Sequence, residues 1–142
     1  MDTNNEYEKK GWIFLKRKVT LFTIVSALLY GLVIILTTLT PLADIGENAN
    51  QFNTTGMWLA VSMVFICYFV PLILFLSGMT WVKFVMAALC GVGLLSFLPM
   101  FLGGSFFTVN NGMSLSLFAL LVACGAGVVI NIMWYFAAFR TK

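Results

Sequence analysis

Few side chains in this sequence could carry out chemistry. The chain contains no histidine, and its three cysteines, Cys67, Cys90 and Cys124, are far apart in the sequence. A metal site or redox pair needs clustered ligands or a Cys-x-x-Cys spacing, and neither pattern occurs. All five acidic residues lie outside the long apolar stretches, so no carboxylate is placed for proton transfer within a membrane. The sequence therefore predicts a protein that is not an enzyme, with no catalytic residue, no metal and no cofactor.

Basic and aromatic side chains flank the apolar stretches, in positions suited to a membrane surface. An indole ring favours headgroup depth, and each cation near the surface contributes about 1 kcal/mol of attraction to anionic lipid. We predict headgroup contacts for six residues, with simple anchoring as one role and regulatory lipid binding as the alternative. The six are Trp12, Lys16, Arg17, Lys18, Lys83 and Arg140.

Small residues recur at steps of four near the end of the chain, which places them on one face of a helix. Such a face lets two helix backbones approach closely within a membrane. The residues are Ala119, Ala123, Gly127 and Asn131, with Ala87 and Gly91 as a matching surface on the preceding helix. We predict that these two helices pack together and that Asn131 bonds to a neighbouring helix, because an unpaired amide in lipid is costly. Dimerisation through the same face is the alternative.

The elements that carry these residues follow from composition. The sequence is 61% hydrophobic and 9% charged, with a mean hydropathy of +1.01, which is far more apolar than a soluble domain of 142 residues. A helix of roughly 20 apolar residues spans a bilayer core. We predict an all-α integral membrane protein, with four transmembrane helices in an up-down bundle. Residues 1–18 form an N-terminal segment and residues 19–142 the membrane domain, with spans at 19–39, 57–77, 81–102 and 113–136.

The distribution of basic residues predicts the orientation of the chain. All eight Lys and Arg precede the first span, lie next to the second connection at the start of the third span, or follow the fourth span. Because Lys and Arg are retained on the cytoplasmic side, both termini are predicted to be cytoplasmic. The compact connections are typical of a bacterial plasma membrane protein.

Three connections join the spans. The second, Gly78–Thr80, is short enough to force an antiparallel hairpin, and the third, Gly103–Gly112, is uncharged. Pro71 falls within the second span and is predicted to kink it, whereas Pro41 and Pro99 are expected to end or bend the last turns of their helices.

Three functions fit these features. The first is a non-catalytic accessory subunit that binds a larger membrane protein or another copy of itself through the small-residue face. The second is a homo-oligomeric transporter or channel for a neutral solute, suggested by Pro71 and by the polar residues Ser62, Ser96 and Asn131 within spans. The third is a membrane-stress or lipid-sensing protein. The lipid bilayer is the partner common to all three, and no nucleic acid is expected.

Overall fold

The computed structural model describes residues 3–44 and 51–139, with side chains from residue 6 onward. Four α-helices account for most of them: α1 (Thr3–Thr38), α2 (Thr55–Leu76), α3 (Val82–Asn111) and α4 (Leu115–Phe139). A 3-10 turn, Pro41–Asp44, follows α1. Each of the four helices is long and apolar enough to cross a membrane, which confirms the predicted fold class at that level. Arg140 lies outside the described residues.

Helix α1 is longer than its predicted span. It contains 36 residues, and at about 1.5 Å per residue it extends about 54 Å, well beyond a hydrocarbon core of about 30 Å. From Thr3 to Thr38, the predicted N-terminal segment and the first span are therefore one continuous helix. Most residues between Glu6 and Lys18 favour helix, and the single glycine among them, Gly11, costs only about 1 kcal/mol.

Helix α3 corrects the prediction for the third connection. The stretch Gly103–Gly112 was expected to be a loop, but the helix continues to Asn111. Four side chains in this stretch bond back to carbonyl groups four residues earlier, namely those of Ser105, Thr108, Asn110 and Asn111. Because these polar side chains are hydrogen-bonded within the helix, they do not end it.

Two further features explain where α3 ends. Pro99 lies inside the helix and does not terminate it, because neighbouring helices and polar side chains can compensate for one missing backbone donor. The end comes at Gly112, whose φ of 86° lies in the left-handed region that favours glycine.

The α2–α3 turn forms the expected tight hairpin. Helix α2 ends at Leu76, and Gly78 adopts a φ of 106°. The Gly78 amide donates to the Phe75 carbonyl, and the Met79 amide donates to the Leu74 carbonyl. This pair of bonds is a Schellman motif, which satisfies carbonyl groups left open at a helix end.

The helices form a ring of neighbours. Helix α1 packs against α2 and α4, and α3 packs against α4 and, over a smaller interface, α2. Large side chains fill the interior, including Trp134, Met86 and Phe97. Only about a third of each spanning stretch is buried within the bundle, at 28–33%. The remaining apolar surface, such as Leu95 at 73% exposure, is far more extensive than that of most soluble monomers.

Candidate functional site

The lysines from Lys9 to Lys18 and Lys83 belong to the same end of the bundle, which we call the basic end. A cleft of about 590 Å³ opens there between the N-terminal half of α1, the α2–α3 turn and the end of α4. We call it the basic-end cleft. Its lining includes Glu8, Trp12, Phe75, Thr80, Lys83 and Phe139. Two of the residues predicted to contact headgroups, Trp12 and Lys83, are thus brought together in one cleft.

The cleft changes from polar to apolar along α1. Glu8, Trp12, Leu15 and Val19 all line it, and their spacing of three or four residues places them on one helical face. Glu8 is exposed, whereas Val19 is buried against the core. Between these two residues α1 rises about 16 Å, which is close to half the thickness of a bilayer core. The cleft therefore has a charged mouth and an apolar floor.

Lys83 places a cation at the mouth of the cleft. Its ammonium nitrogen lies 5.4 Å from the ring centroid of Phe84 and 5.9 Å from that of Phe139. The side chain is half-buried, so its stem packs on aromatic surface while its charge stays accessible. The cation is consequently held beside the cleft.

Lys16 has a different role in the structure. Its ammonium donates to the carbonyl of Leu76 at 3.4 Å and lies 5.4 Å from the ring centroid of Trp12. Leu76 is the last residue of α2, where the helix dipole is negative and a cation is stabilising. The Trp12 ring also lies 6.3 Å from that of Phe75. Lys16 and Trp12 together fasten α1 to the end of α2.

Two further predicted headgroup residues, Arg17 and Lys18, do not line the cleft. Arg17 is exposed, and the ammonium of Lys18 lies 4.3 Å from the ring centroid of Phe14. They extend the basic surface around the bundle without contributing to the cleft.

A second polar feature, the central polar cluster, is buried between the helices and consists of Ser26, Tyr68 and Asn131. The Ser26 hydroxyl donates to the side-chain oxygen of Asn131 at 2.9 Å and lies 3.5 Å from the Tyr68 hydroxyl. The amide nitrogen of Asn131 donates to the Gly127 carbonyl at 2.8 Å. Asn131 therefore bonds to α1 as well as within α4. The cluster links α1, α2 and α4 at a place where water is excluded.

Further hydrogen bonds join the helices around this cluster. The Trp134 indole donates to the Thr23 hydroxyl at 2.9 Å, and Thr23 donates to the Val19 carbonyl at 2.7 Å. The Tyr135 hydroxyl donates to the Ala87 carbonyl. Sequence analysis missed Thr23, Ser26 and the tyrosines. The hydroxyl groups of these residues could have indicated helix contacts, because most buried hydroxyl groups have a hydrogen-bond partner.

The small-residue face of α4 lies inside the bundle. Ala123, Gly127 and Asn131 are buried and Ala119 is half-buried. A Cβ atom on Gly127 would lie 2.7 Å from the nearest ring atom of Phe97 on α3. The face predicted to bind a partner is therefore occupied within the chain.

The predicted matching surface on α3 makes a different contact. A Cβ atom on Gly91 would lie 3.0 Å from the Tyr135 hydroxyl, and Ala87 accepts the hydrogen bond of the same tyrosine. Ala87 and Gly91 thus face Tyr135 and not the small-residue stripe. The close neighbours of the stripe are Phe97 and, near Asn131, Gly93.

The residues that suggested a solute path are not gathered in one channel. Ser62 and Ser96 are both exposed, and Ser96 accepts a hydrogen bond from Tyr30 at 2.8 Å. Helix α2 runs continuously through Pro71, which is buried. In residues 3–44 and 51–139 the structure brings no three His, Cys, Asp or Glu side chains together as a metal site.

Comparison with known proteins identifies relatives without a known function. Residues 14–142 match a family of unknown function, DUF5391. The chain is 42% identical over 132 residues to the uncharacterized protein YxaJ of Bacillus subtilis (strain 168). The aligned region covers 89% of this chain and 90% of that protein. No solved structure matches. The family match includes Lys83 and the central polar cluster and begins after Glu8 and Trp12.

Proposed function

We propose a lipid-binding role for this chain, which belongs to the family of unknown function DUF5391. The observation that supports the role is the basic-end cleft, with its charged mouth, aromatic walls and apolar floor. Its volume of about 590 Å³ lies in the range of roughly 300–1,000 Å³ typical of small-molecule sites. An amphipathic molecule lying parallel to α1 matches the change of polarity along the cleft.

The proposed setting is the plasma membrane of a bacterium, with the basic end in the cytoplasm. Support comes from the lysines near the cleft, because basic residues are retained on the cytoplasmic side. The similar protein from Bacillus subtilis supports a bacterial setting. In this orientation the cleft opens toward the inner leaflet, where anionic headgroups attract basic segments.

A lipid-sensing protein fits the geometry better than the other two predicted functions. An accessory subunit that uses the α4 stripe would need a surface that already packs against Phe97. A solute path would need polar residues along the interior, which is filled by side chains such as Trp134 and Leu120. Binding of a larger membrane partner or a second copy stays a prediction without an assigned surface. The proposed role is non-catalytic and involves no cofactor or nucleic acid.

The test is lipid retention by the purified full-length chain. After extraction in mild detergent, native mass spectrometry should detect phospholipid bound to the wild-type protein. Lys83→Gln should retain about fivefold less, because a cation near phosphate is worth about 1 kcal/mol. Lys18→Gln is the matched control, since it removes an equal charge at the same end but outside the cleft. Absence of bound lipid from the wild type, or equal losses in both variants, would reject the role.

A further inference from the structure

The basic-end cleft carries charges of both signs, contributed by two different helices. Glu8 of α1 and Lys83 of α3 both line it. A purely anionic headgroup would place negative charge beside Glu8, and a purely cationic one would place positive charge beside Lys83. We infer that the ligand is a zwitterionic phospholipid with a primary ammonium group, as in phosphatidylethanolamine, an inference that rests on the proposed lipid-binding function.

The phosphate belongs on the side of Lys83. This residue is the second of α3, whose first three amides already donate to the carbonyl groups of Met79, Thr80 and Trp81. The phosphate is therefore bound by the Lys83 ammonium and not by the helix amides, since an ammonium makes charge-assisted hydrogen bonds to phosphate oxygens. The Thr80 hydroxyl lines the same part of the cleft and can donate to a phosphate oxygen.

The ammonium belongs on the side of Glu8. A carboxylate is an acceptor only, and a primary ammonium has three N–H donors with which to make charge-assisted hydrogen bonds. A quaternary ammonium, as in phosphatidylcholine, has none. It would instead need an open aromatic face. The aromatic residue that lines the cleft on the same face of α1 as Glu8 is Trp12, and the Lys16 ammonium already lies 5.4 Å from its ring centroid. The cleft thus discriminates between the two zwitterionic headgroups.

The acyl chains belong on the floor of the cleft. Leu15 and Val19 of α1 and Phe75 of α2 form an apolar surface that continues from the mouth toward the bundle core. This order of headgroup and chain is the order found across one leaflet. A lipid of the surrounding leaflet could enter the cleft sideways without reversing its orientation.

Competition between defined lipids tests the inference. The full-length chain is delipidated in detergent and titrated with phosphatidylethanolamine, phosphatidylcholine and phosphatidylglycerol of identical acyl chains, with native mass spectrometry as the readout. The wild type should bind the ethanolamine lipid at least about fivefold more tightly than either of the others. Glu8→Gln should remove this preference and raise the relative affinity for phosphatidylglycerol.

Glu6→Gln is the matched control, because it removes the same charge from α1 at an exposed residue that does not line the cleft. It should keep the wild-type preference. Equal binding of the three lipids, preference for another headgroup, or an unchanged preference in Glu8→Gln would overturn the inference while lipid binding itself stands. A wild-type chain that binds none of the lipids would overturn both. A thermal unfolding midpoint equal to that of the wild type establishes that each variant is folded.

Discussion

Polar residues inside this bundle are matched to specific partners. Asn131 is fully buried, and its two polar atoms are engaged by Ser26 of α1 and by the Gly127 carbonyl. Side-chain hydrogen bonds between membrane helices contribute on average about 0.6 kcal/mol, with a maximum of about 1.7 kcal/mol. The Ser26–Asn131 bond is therefore a modest source of stability. Its larger effect is on the rotation of α1 and α4 about their axes, because the bond forms only when Ser26 and Asn131 face each other.

Among the described glycines, Gly127 leaves the least space for an added Cβ atom. The Gly127→Ala variant would place a methyl group 2.7 Å from a ring atom of Phe97, so the ring or helix α3 must shift. We expect a loss of about 1–3 kcal/mol in the free energy of unfolding, as for other overpacked cores. Equilibrium unfolding in mixed detergent micelles measures it.

Gly103→Ala provides the control, because Gly103 is an exposed helical glycine with nothing within 4 Å of an added Cβ atom. It should cause no loss of stability. Equal stability of Gly127→Ala and the wild type would contradict the close contact between α3 and α4.

Helix α1 has two functions in the fold. Its C-terminal part packs in the bundle, and its N-terminal part forms one wall of the basic-end cleft. The bond from Lys16 to the end of α2 joins this wall to the bundle. A rigid wall is required for the cleft to hold its shape.

The continuity of α1 can be tested at Gly11. In Gly11→Pro, the ring removes a backbone donor and clashes with the preceding turn, at a cost of about 3 kcal/mol. Hydrogen exchange measured by mass spectrometry should show faster exchange for amides from residue 6 to residue 14. Gly11→Ala, which has open space around its Cβ atom, should exchange as slowly as the wild type or more slowly. Identical exchange in the proline variant and the wild type would mean that this segment is not helical.

Charged and polar side chains are unevenly distributed in the molecule, both between its two ends and between its surface and its interior. The described lysines belong to one end, the outer surface between the ends is apolar, and the hydrogen-bonded clusters lie inside. This distribution suits a bilayer, because lipid can cover the apolar belt and most buried side-chain polar groups are hydrogen-bonded within the bundle. Among the described residues the exception is the buried hydroxyl of Thr20, which has no hydrogen-bond partner.

Orientation follows from this distribution and can be measured in intact cells. A membrane-impermeant maleimide should label Gln51→Cys without permeabilisation and Lys10→Cys only after it, since the basic end is expected to face the cytoplasm. Both positions are exposed. The wild-type chain is the control, because its three cysteines lie within the spanning helices. Labelling of Lys10→Cys in intact cells would reverse the proposed orientation.

The number of helices and the tight α2–α3 turn could be predicted from local stretches of the sequence. Insertion of a span depends on the sum of transfer energies of about twenty consecutive residues, which needs no knowledge of other helices. Likewise, a connection of a few residues requires α2 and α3 to be neighbours in the bundle. The end of α3 was harder to predict, because Gly103 costs only about 1 kcal/mol and neighbouring helices can compensate for the backbone donor missing at Pro99.

Contacts between residues of different helices could not be predicted from local stretches of the sequence. Glu8, Phe75, Lys83 and Phe139 come from four different helices, and they form one cleft because of how those helices are rotated and tilted. The same holds for Ser26 and Asn131, which lie 105 residues apart in the sequence. Rotation and tilt are set by close contacts such as that of Phe97 with Gly127. Such contacts depend on the shapes of two surfaces at once, which local patterns of hydrophobicity do not contain.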